Sequence, residues 1–175
     1  MISVVIATRN DAPRLTATLA ALAPAAMDGF VRQVIVADGG STDETLEVAE
    51  DAGADVVTTG FADAIAAARQ PWLLILAPGV RPQVGWERAA QAHMRDYSDH
   101  AGWFDLALAE AGIGARVREV MARSAIGHFR IEQGPLIRSQ RLERFAPIKD
   151  HQALIRKLGG SQSRRLGVRV LVSGA

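Results

Sequence analysis

The 175-residue sequence has no cysteine and one tyrosine, and aromatics make up only 5% of it. Without thiols there are no disulfides and no thiolate metal ligands. No apolar run approaches the ~20 residues that a membrane-crossing helix needs. Two phosphate-binding loops are missing as well. The loop after the first apolar run reads ATRNDA, which lacks the G-x-G-x-x-G spacing, and no Gly-Lys-Ser or Gly-Lys-Thr occurs anywhere. His93, His100 and His128 are scattered without ligand spacing, so no zinc site is expected. The opening MISVVIATRN has no basic head or cleavage signal; it reads as mature sequence, and cytoplasmic residence is the expectation.

What is present is ordinary apolar content, 49%, carried mostly by alanine, valine and leucine. The length suits one domain. Charge is unevenly spread beneath a net of +1: residues 1–110 hold 7 basic against 15 acidic side chains, and residues 111–175 hold 13 against 4. Such asymmetry fits a nucleic-acid or membrane contact, mutual attraction of the halves, or two differently solvated faces. Nucleic acid is not expected. SQSRRLGVR lacks interleaved aromatics, and no nucleic-acid-binding module is recognisable. Residues 113–125 read as a basic amphipathic helix, either packed on the core or lying on an anionic membrane surface.

Hydrophobic patterning organises the first half. Residues 2–7 form a short β-branched run, hence a buried strand. Asn10 or Asp11 is placed to cap a helix, with Pro13 in its first turn and Leu15, Leu19 and Leu22 at helical spacing. Residues 32–37 are a second strand ending at Asp38. Ser41 and Glu44 fit a capping box opening a helix to about Asp51, with Gly53 at its end. Residues 54–58 are a third strand, FADAIAAARQ a short helix, and 72–77 a fourth strand. That alternation predicts a parallel sheet wrapped by helices. Beyond it, helices are expected at 83–95 and 150–158, and strands at 102–109, 134–138 and 167–172.

Ligands of such sheets bind beyond the carboxyl ends of the strands. TRND and DGGSTDE stand at two of those ends, side by side if their strands are neighbours. Asp38 can then accept hydrogen bonds from a nucleobase or ribose. Gly39 and Gly40 permit close backbone approach. A helix opening at Ser41 would favour an anion. The alternative is that these residues only build a turn and cap a helix.

ISVVIATRNDAPRLTATLAAL followed by VRQVIVADGGSTDETLEVAEDAGADVV resembles the opening of family 2 glycosyltransferases, whose second loop is V-x-D-(D/G)-G-S-x-D. The resemblance implies a GT-A-like (Rossmann-like) α/β fold: a mostly parallel sheet flanked by helices, with a short α+β acceptor-side half. It implies one domain over 1–175, with 1–80 the nucleotide-binding half and 81–175 the acceptor-side half. It also implies that Thr8, Arg9, Asn10 and Asp11 border the nucleotide, that Asp38, Gly39 and Gly40 contact it, and that the ligand is a nucleotide sugar or nucleotide diphosphate. WLLILAPGVRPQVGW resembles the stretch leading to the family's metal site. IEQGPLIRSQRLERF and PIKDHQALIRKLGG resemble the acceptor-side half of small members, where a Glu-Asp pair opens a helix and supplies the base. Asp150 and His151 stand in those places, and a helix cap and a surface histidine are the plainer readings of them.

Three features depart from the family. Its Asp-x-Asp motif holds a divalent cation, Mg²⁺ or Mn²⁺, on the diphosphate. Here Ala77, Pro78 and Gly79 occupy that stretch, and none offers a side-chain oxygen. The Glu-Asp pair is altered as described. The usual Arg-Gly loop before the third helix is reduced to TTGFADA. A metal-independent transferase using Arg116, Arg118, Arg123, Arg130 or Arg138 is one outcome. A catalytically inactive nucleotide-binding or protein-interaction module is a second. A cation held by Asp63 or Glu132 is a third. Members of the family often act on membrane-proximal acceptors, which by resemblance favours the membrane reading of the basic C-terminal half. The oligomeric state is not legible in the sequence.

Overall fold

The computed structural model describes residues 1–108, 131–142, 144, 148, 150–159 and 163–172. The first strand, β1 (Ile2–Thr8), runs through the middle of the nucleotide half. It is followed by α1 (Ala12–Met27), β2 (Val31–Asp38), α2 (Thr45–Asp51), β3 (Asp55–Val57), α3 (Phe61–Ala66) and β4 (Trp72–Leu76). Next come β5 (Val80–Pro82), α4 (Trp86–Asp96) and β6 (Ala101–Leu108), then a 3-10 turn at Ile131–Gln133. The chain continues with β7 (Leu136–Arg138), the short α5 (Ser139–Leu142), α6 (His151–Gly159) and β8 (Ser163–Val172).

The strands form one mixed eight-stranded sheet in the order β3-β2-β1-β4-β7-β6-β8-β5. β1 pairs in parallel with both β2 and β4, and β2 with β3. β7 is antiparallel to β4 and β6, β8 runs parallel to β6, and β5 is antiparallel to β8. Only Ala77, Pro78 and Gly79 separate β4 from β5, yet the two lie four places apart in the sheet. Four strand spacings span roughly 19 Å in a flat sheet. Four residue steps cover at most about 14 Å. The sheet therefore curls, carrying β5 back toward α1, where the Gly79 N–H donates to the Arg14 carbonyl at 2.9 Å.

Both faces of the central strands are covered, which is why β1 and β4 read as continuous apolar runs rather than alternating ones. Ile2, Val4 and Ile6 join Leu74, Leu76, Leu15, Leu22, Trp86 and Phe104 in one core layer. Val5 joins Leu73, Ile75, Phe61, Trp103, Leu154 and Leu158 in the other. Each fully buried Leu or Ile contributes about 1.5–3 kcal/mol relative to exposure. On the second face a polar thread crosses the core: the Ser3 hydroxyl donates to Gln33 Oε1 at 2.8 Å, and Gln33 Nε2 donates to Asp55 at 2.7 Å.

Among the described residues the predicted strands and helices are present with shifted ends, and two features differ. The second helix starts at Thr45, with Glu44 at its cap and no side-chain cap bond, so Ser41 and Glu44 form no capping box. β8 begins at Ser163, four residues before its predicted start, because parallel pairing with β6 extends through Arg164 and Arg165. Its register shifts opposite Trp103–Asp105, and Gly167 lies there in the left-handed region (φ +71), so the strand bulges and interrupts the alternation. Among the described residues no helix is long and apolar enough to cross a membrane. The predicted basic helix at 113–125 lies outside them.

Candidate functional site

The parallel register aligns Thr8 with Asp38, so the loops after β1 and β2 leave the sheet side by side. β4 lies on the other side of β1, with the chain running outward from β1 in both directions. That is a topological switch point, where an open sheet leaves a crevice. A cleft of about 390 Å³ lies there, lined by Thr8, Arg9, Asp38, Phe61, Pro78 and His151. Asp11, Gly39 and Asp150 also border it. Residues far apart in sequence thus meet where the two loops, the post-β4 turn and the start of α6 converge. Such a volume suits a small organic ligand.

The two loops are held by hydrogen bonds made largely within themselves. The Gly39 N–H donates to the Thr8 carbonyl at 2.9 Å. Asn10, in the left-handed region at φ 50, donates its N–H to Ser41 Oγ at 2.9 Å and accepts from the Thr42 N–H at 2.7 Å. The Asp11 N–H donates to Thr45 Oγ1 at 2.9 Å, and Asp43 accepts from Thr45 and from the Ala12 N–H. Hydrogen bonds from the Thr45 hydroxyl and backbone hold Asp43 below the usual carboxylate range, against a smaller effect of desolvation. Asp43, rather than Ser41, therefore organises the start of α2.

Asp38 is buried at the end of β2, and its carboxylate is already engaged. Oδ2 accepts from the N–H groups of Gly40 and Ser41, both at 2.9 Å, and Oδ1 accepts from the Ser41 hydroxyl. Burial works to raise its pKa, but the bonds from the Ser41 hydroxyl and the Ser41 and Gly40 N–H groups prevail and lower it, with Asp43 opposing. Asp38 is thus a fixed anion whose orientation the loop determines. Gly40 is required for that loop, since its φ of +88 is costly for any residue with a Cβ.

Of the sequence-derived candidates, Thr8, Arg9, Asp11, Asp38, Gly39, Asp150 and His151 meet at the cleft, whereas Asn10 and Gly40 tie the loops behind it. Asp150 Oδ1 accepts from the Ala153 N–H at 2.7 Å, capping α6 while facing the cavity. The His151 ring packs edge-on against Phe61, with centroids 6.0 Å apart. Gly60 and Phe61 were not singled out from sequence, although TTGFADA marked that stretch as unusual. The Thr8 hydroxyl oxygen is buried without a hydrogen-bond partner.

The proposed cations and metal ligands fare differently. Arg138 pairs with Trp72 at the amino end of β4, opposite the end that carries Pro78, so it does not reach the cleft. Arg116, Arg118, Arg123 and Arg130 lie outside the described residues. Neither Asp63 nor Glu132 lines the cleft. Among the described residues no cluster of three acids or histidines is arranged to hold a metal ion. Arg14, which sequence reasoning did not consider, lies against the post-β4 turn. A Cβ at Gly79 would stand 2.8 Å from Arg14 Nε, and Gly79 has a φ of +85. Arg14 Nη1 is 3.4 Å from Asp11 Oδ2.

Residues 3–74 match the family model for glycosyl transferase family 2. No curated protein sequence matches the chain. Among solved structures, the chain is similar to glucosyl-3-phosphoglycerate synthase from Mycobacterium tuberculosis, in complex with Mn²⁺, uridine diphosphate and phosphoglyceric acid. The TM-score is 0.67 at 20% identity, over 100% of this chain and 71% of that one. It is also similar to S. aureus TarS 1–349, with a TM-score of 0.67 at 14% identity, over 98% of this chain and 60% of that one. Against a longer TarS structure the TM-score is 0.69 at 15% identity, and the chain spans 36% of its length. At these identities the structural likeness bears on the fold.

Proposed function

From a chain whose residues 3–74 are a glycosyl transferase family 2 segment, and whose fold is that of the GT-A glycosyltransferases, we propose that this protein transfers a sugar from a nucleotide-sugar donor to an acceptor hydroxyl. The single observation that carries the reading is the convergence of Asp38, Asp150 and His151 on one cleft at the carboxyl ends of β1 and β2. Solved structures of this fold contain uridine diphosphate or uridine-diphosphate-glucose. A uridine nucleotide is therefore the first donor class to test.

In this reading the paired loops receive the nucleoside, with Asp38 fixed by its own loop as the acid that faces it. Asp150, at the mouth of α6, accepts the proton of the attacking hydroxyl, and His151 is its neighbour in that role. The acceptor oxygen bonds to the anomeric carbon as the bond from that carbon to the diphosphate oxygen breaks, and the nucleoside diphosphate departs. General-base assistance of this kind contributes about 10²- to 10⁴-fold.

The absence of side-chain oxygens at Ala77, Pro78 and Gly79 favours a second reading, a nucleotide-binding module without catalysis. Donor turnover with uridine-diphosphate-glucose, compared between the wild type and Asp150→Asn, separates the two. The transferase reading expects turnover that drops at least about 10²-fold in the variant. Turnover unchanged by Asp150→Asn removes Asp150 from the mechanism. Binding without any turnover in either protein establishes the module instead.

A further inference from the structure

We infer that Arg14 supplies the positive charge facing the donor's diphosphate, so that this cleft takes a nucleoside diphosphate without a divalent cation. The inference rests on the nucleotide reading above and goes beyond it by naming the group that meets the phosphates. A hard cation on a diphosphate needs carboxylate or carbonyl oxygens arranged around it. The turn after β4 offers no side-chain oxygen at Ala77, Pro78 or Gly79. Asp38, the buried acid nearest the loops, has both oxygens committed to Gly40 and Ser41. Among the described residues, none are arranged to hold a metal ion there.

The residues present do fit a guanidinium. Gly79 donates its N–H to the Arg14 carbonyl, and its missing Cβ leaves the space that Arg14 Nε fills. An aspartate at 79 would need both a left-handed backbone and removal of that guanidinium. Turn and arginine are therefore built around each other. The fork is also short of acceptors. Nε is buried with no hydrogen-bond partner, and Nη1 has a 3.4 Å contact to Asp11, longer than a good charged hydrogen bond. The side chain is 35% exposed, so the fork is not sealed from the solvent side. Arg14 stands just behind the cleft lining: its ion-pair partner Asp11 lines the cleft, as does Pro78, the chain neighbour of the Gly79 it packs against. Guanidinium groups bind phosphate oxygens in pairs and remain charged at every working pH.

The test is calorimetric titration of the full chain with uridine diphosphate and guanosine diphosphate, in EDTA and then in Mn²⁺. The parent nucleosides are followed in parallel by ligand-observed NMR. The expected result is diphosphate binding in EDTA that Mn²⁺ changes by less than about threefold. Arg14→Ala should weaken the diphosphate by about 10- to 100-fold, the loss of a charged hydrogen-bond pair, and leave nucleoside binding unchanged. Arg14→Lys should recover part of the loss. Diphosphate binding that requires Mn²⁺, or an Arg14→Ala variant that binds it like the wild type, overturns the inference and leaves the nucleotide site standing. Equal weakening of nucleoside and diphosphate assigns Arg14 a merely structural role and also overturns it. No binding of any nucleotide or nucleoside under any condition removes the nucleotide reading itself.

Discussion

Replacing Asp38 by asparagine changes almost nothing in shape and much in charge. The wild-type carboxylate accepts three hydrogen bonds, from the Gly40 N–H, the Ser41 N–H and the Ser41 hydroxyl. An amide oxygen turned toward Gly40 and Ser41 can keep the two backbone bonds as neutral ones. The amide nitrogen then faces Ser41 Oγ, which already accepts from the Asn10 N–H, so the serine proton loses its acceptor. Hydrogen bonds to charged groups contribute about 1 kcal/mol more than neutral ones. Three such changes at a buried site with little solvent screening amount to about 2–3 kcal/mol. In a chain of this length that lowers Tm by roughly 5–10 °C. The acid limb gives a second readout. Because the folded-state pKa of Asp38 is lowered, its contribution is fully present above the unfolded value of about 3.9 and is lost as pH falls through the folded value. Asp38→Asn should lack that share of the acid destabilisation. Thermal melts by circular dichroism at pH 7 and across pH 5 to 2.5 measure both. A variant melting within 1 °C of the wild type, with the same acid limb, would refute the claim that this carboxylate fixes the loop.

Burial holds His93 below its usual pKa, only partly offset by its bond to the His100 carbonyl, while the charges of His100 and Arg164 lower it further. The unfolded chain then binds the proton more readily, so stability should fall as pH drops below about 6.5. Urea midpoints at pH 7.5 and 5.5 should differ in the wild type and differ less in His93→Gln. Gln33→Leu strands the Ser3 hydroxyl and the Arg69 N–H, which donate to its side-chain oxygen. The cost should be about 2–4 kcal/mol by urea titration, and a loss below 0.5 kcal/mol would show the polar thread to be dispensable. Phe104→Ala should cost about 3–5 kcal/mol, since the ring is fully buried against Trp86.

Much of the scaffold is legible because local physics and tertiary packing agree there. The runs that became β1, β2 and β4 are short, apolar and bounded by polar loops, which suits strands covered on both faces. The two loops could be placed at one end of the sheet because parallel strands put their carboxyl ends together. Other residues carry chemistry with two local uses, and there the sequence is ambiguous. Ser41 and Glu44 have capping-box spacing, yet the Ser41 hydroxyl donates to Asp38 and accepts from the Asn10 N–H, leaving Asp43 to hold the start of the helix. β5 is not legible in the sequence, because three residues with a proline carry no periodicity; pairing with Val170, Leu171 and Val172 of β8 makes them a strand. Charge alone makes Arg138 a candidate cation, and antiparallel pairing with β4 puts it at the far end of the sheet.

The sequence by itself determined that strands and helices alternate, that two of the strands run out into polar loops, and that the turn after β4 has no side-chain oxygen. Those are properties of residue type and order, readable over a few positions. Only the tertiary structure decided that Asp150 and His151 come to the mouth of the same cleft as Asp38, and that Arg14 fills the space beside Gly79. The first depends on α6 packing over the central strands and the second on β4 lying beside β1; the pairs are 113 (151 − 38) and 65 (79 − 14) positions apart, and no local pattern encodes such distances.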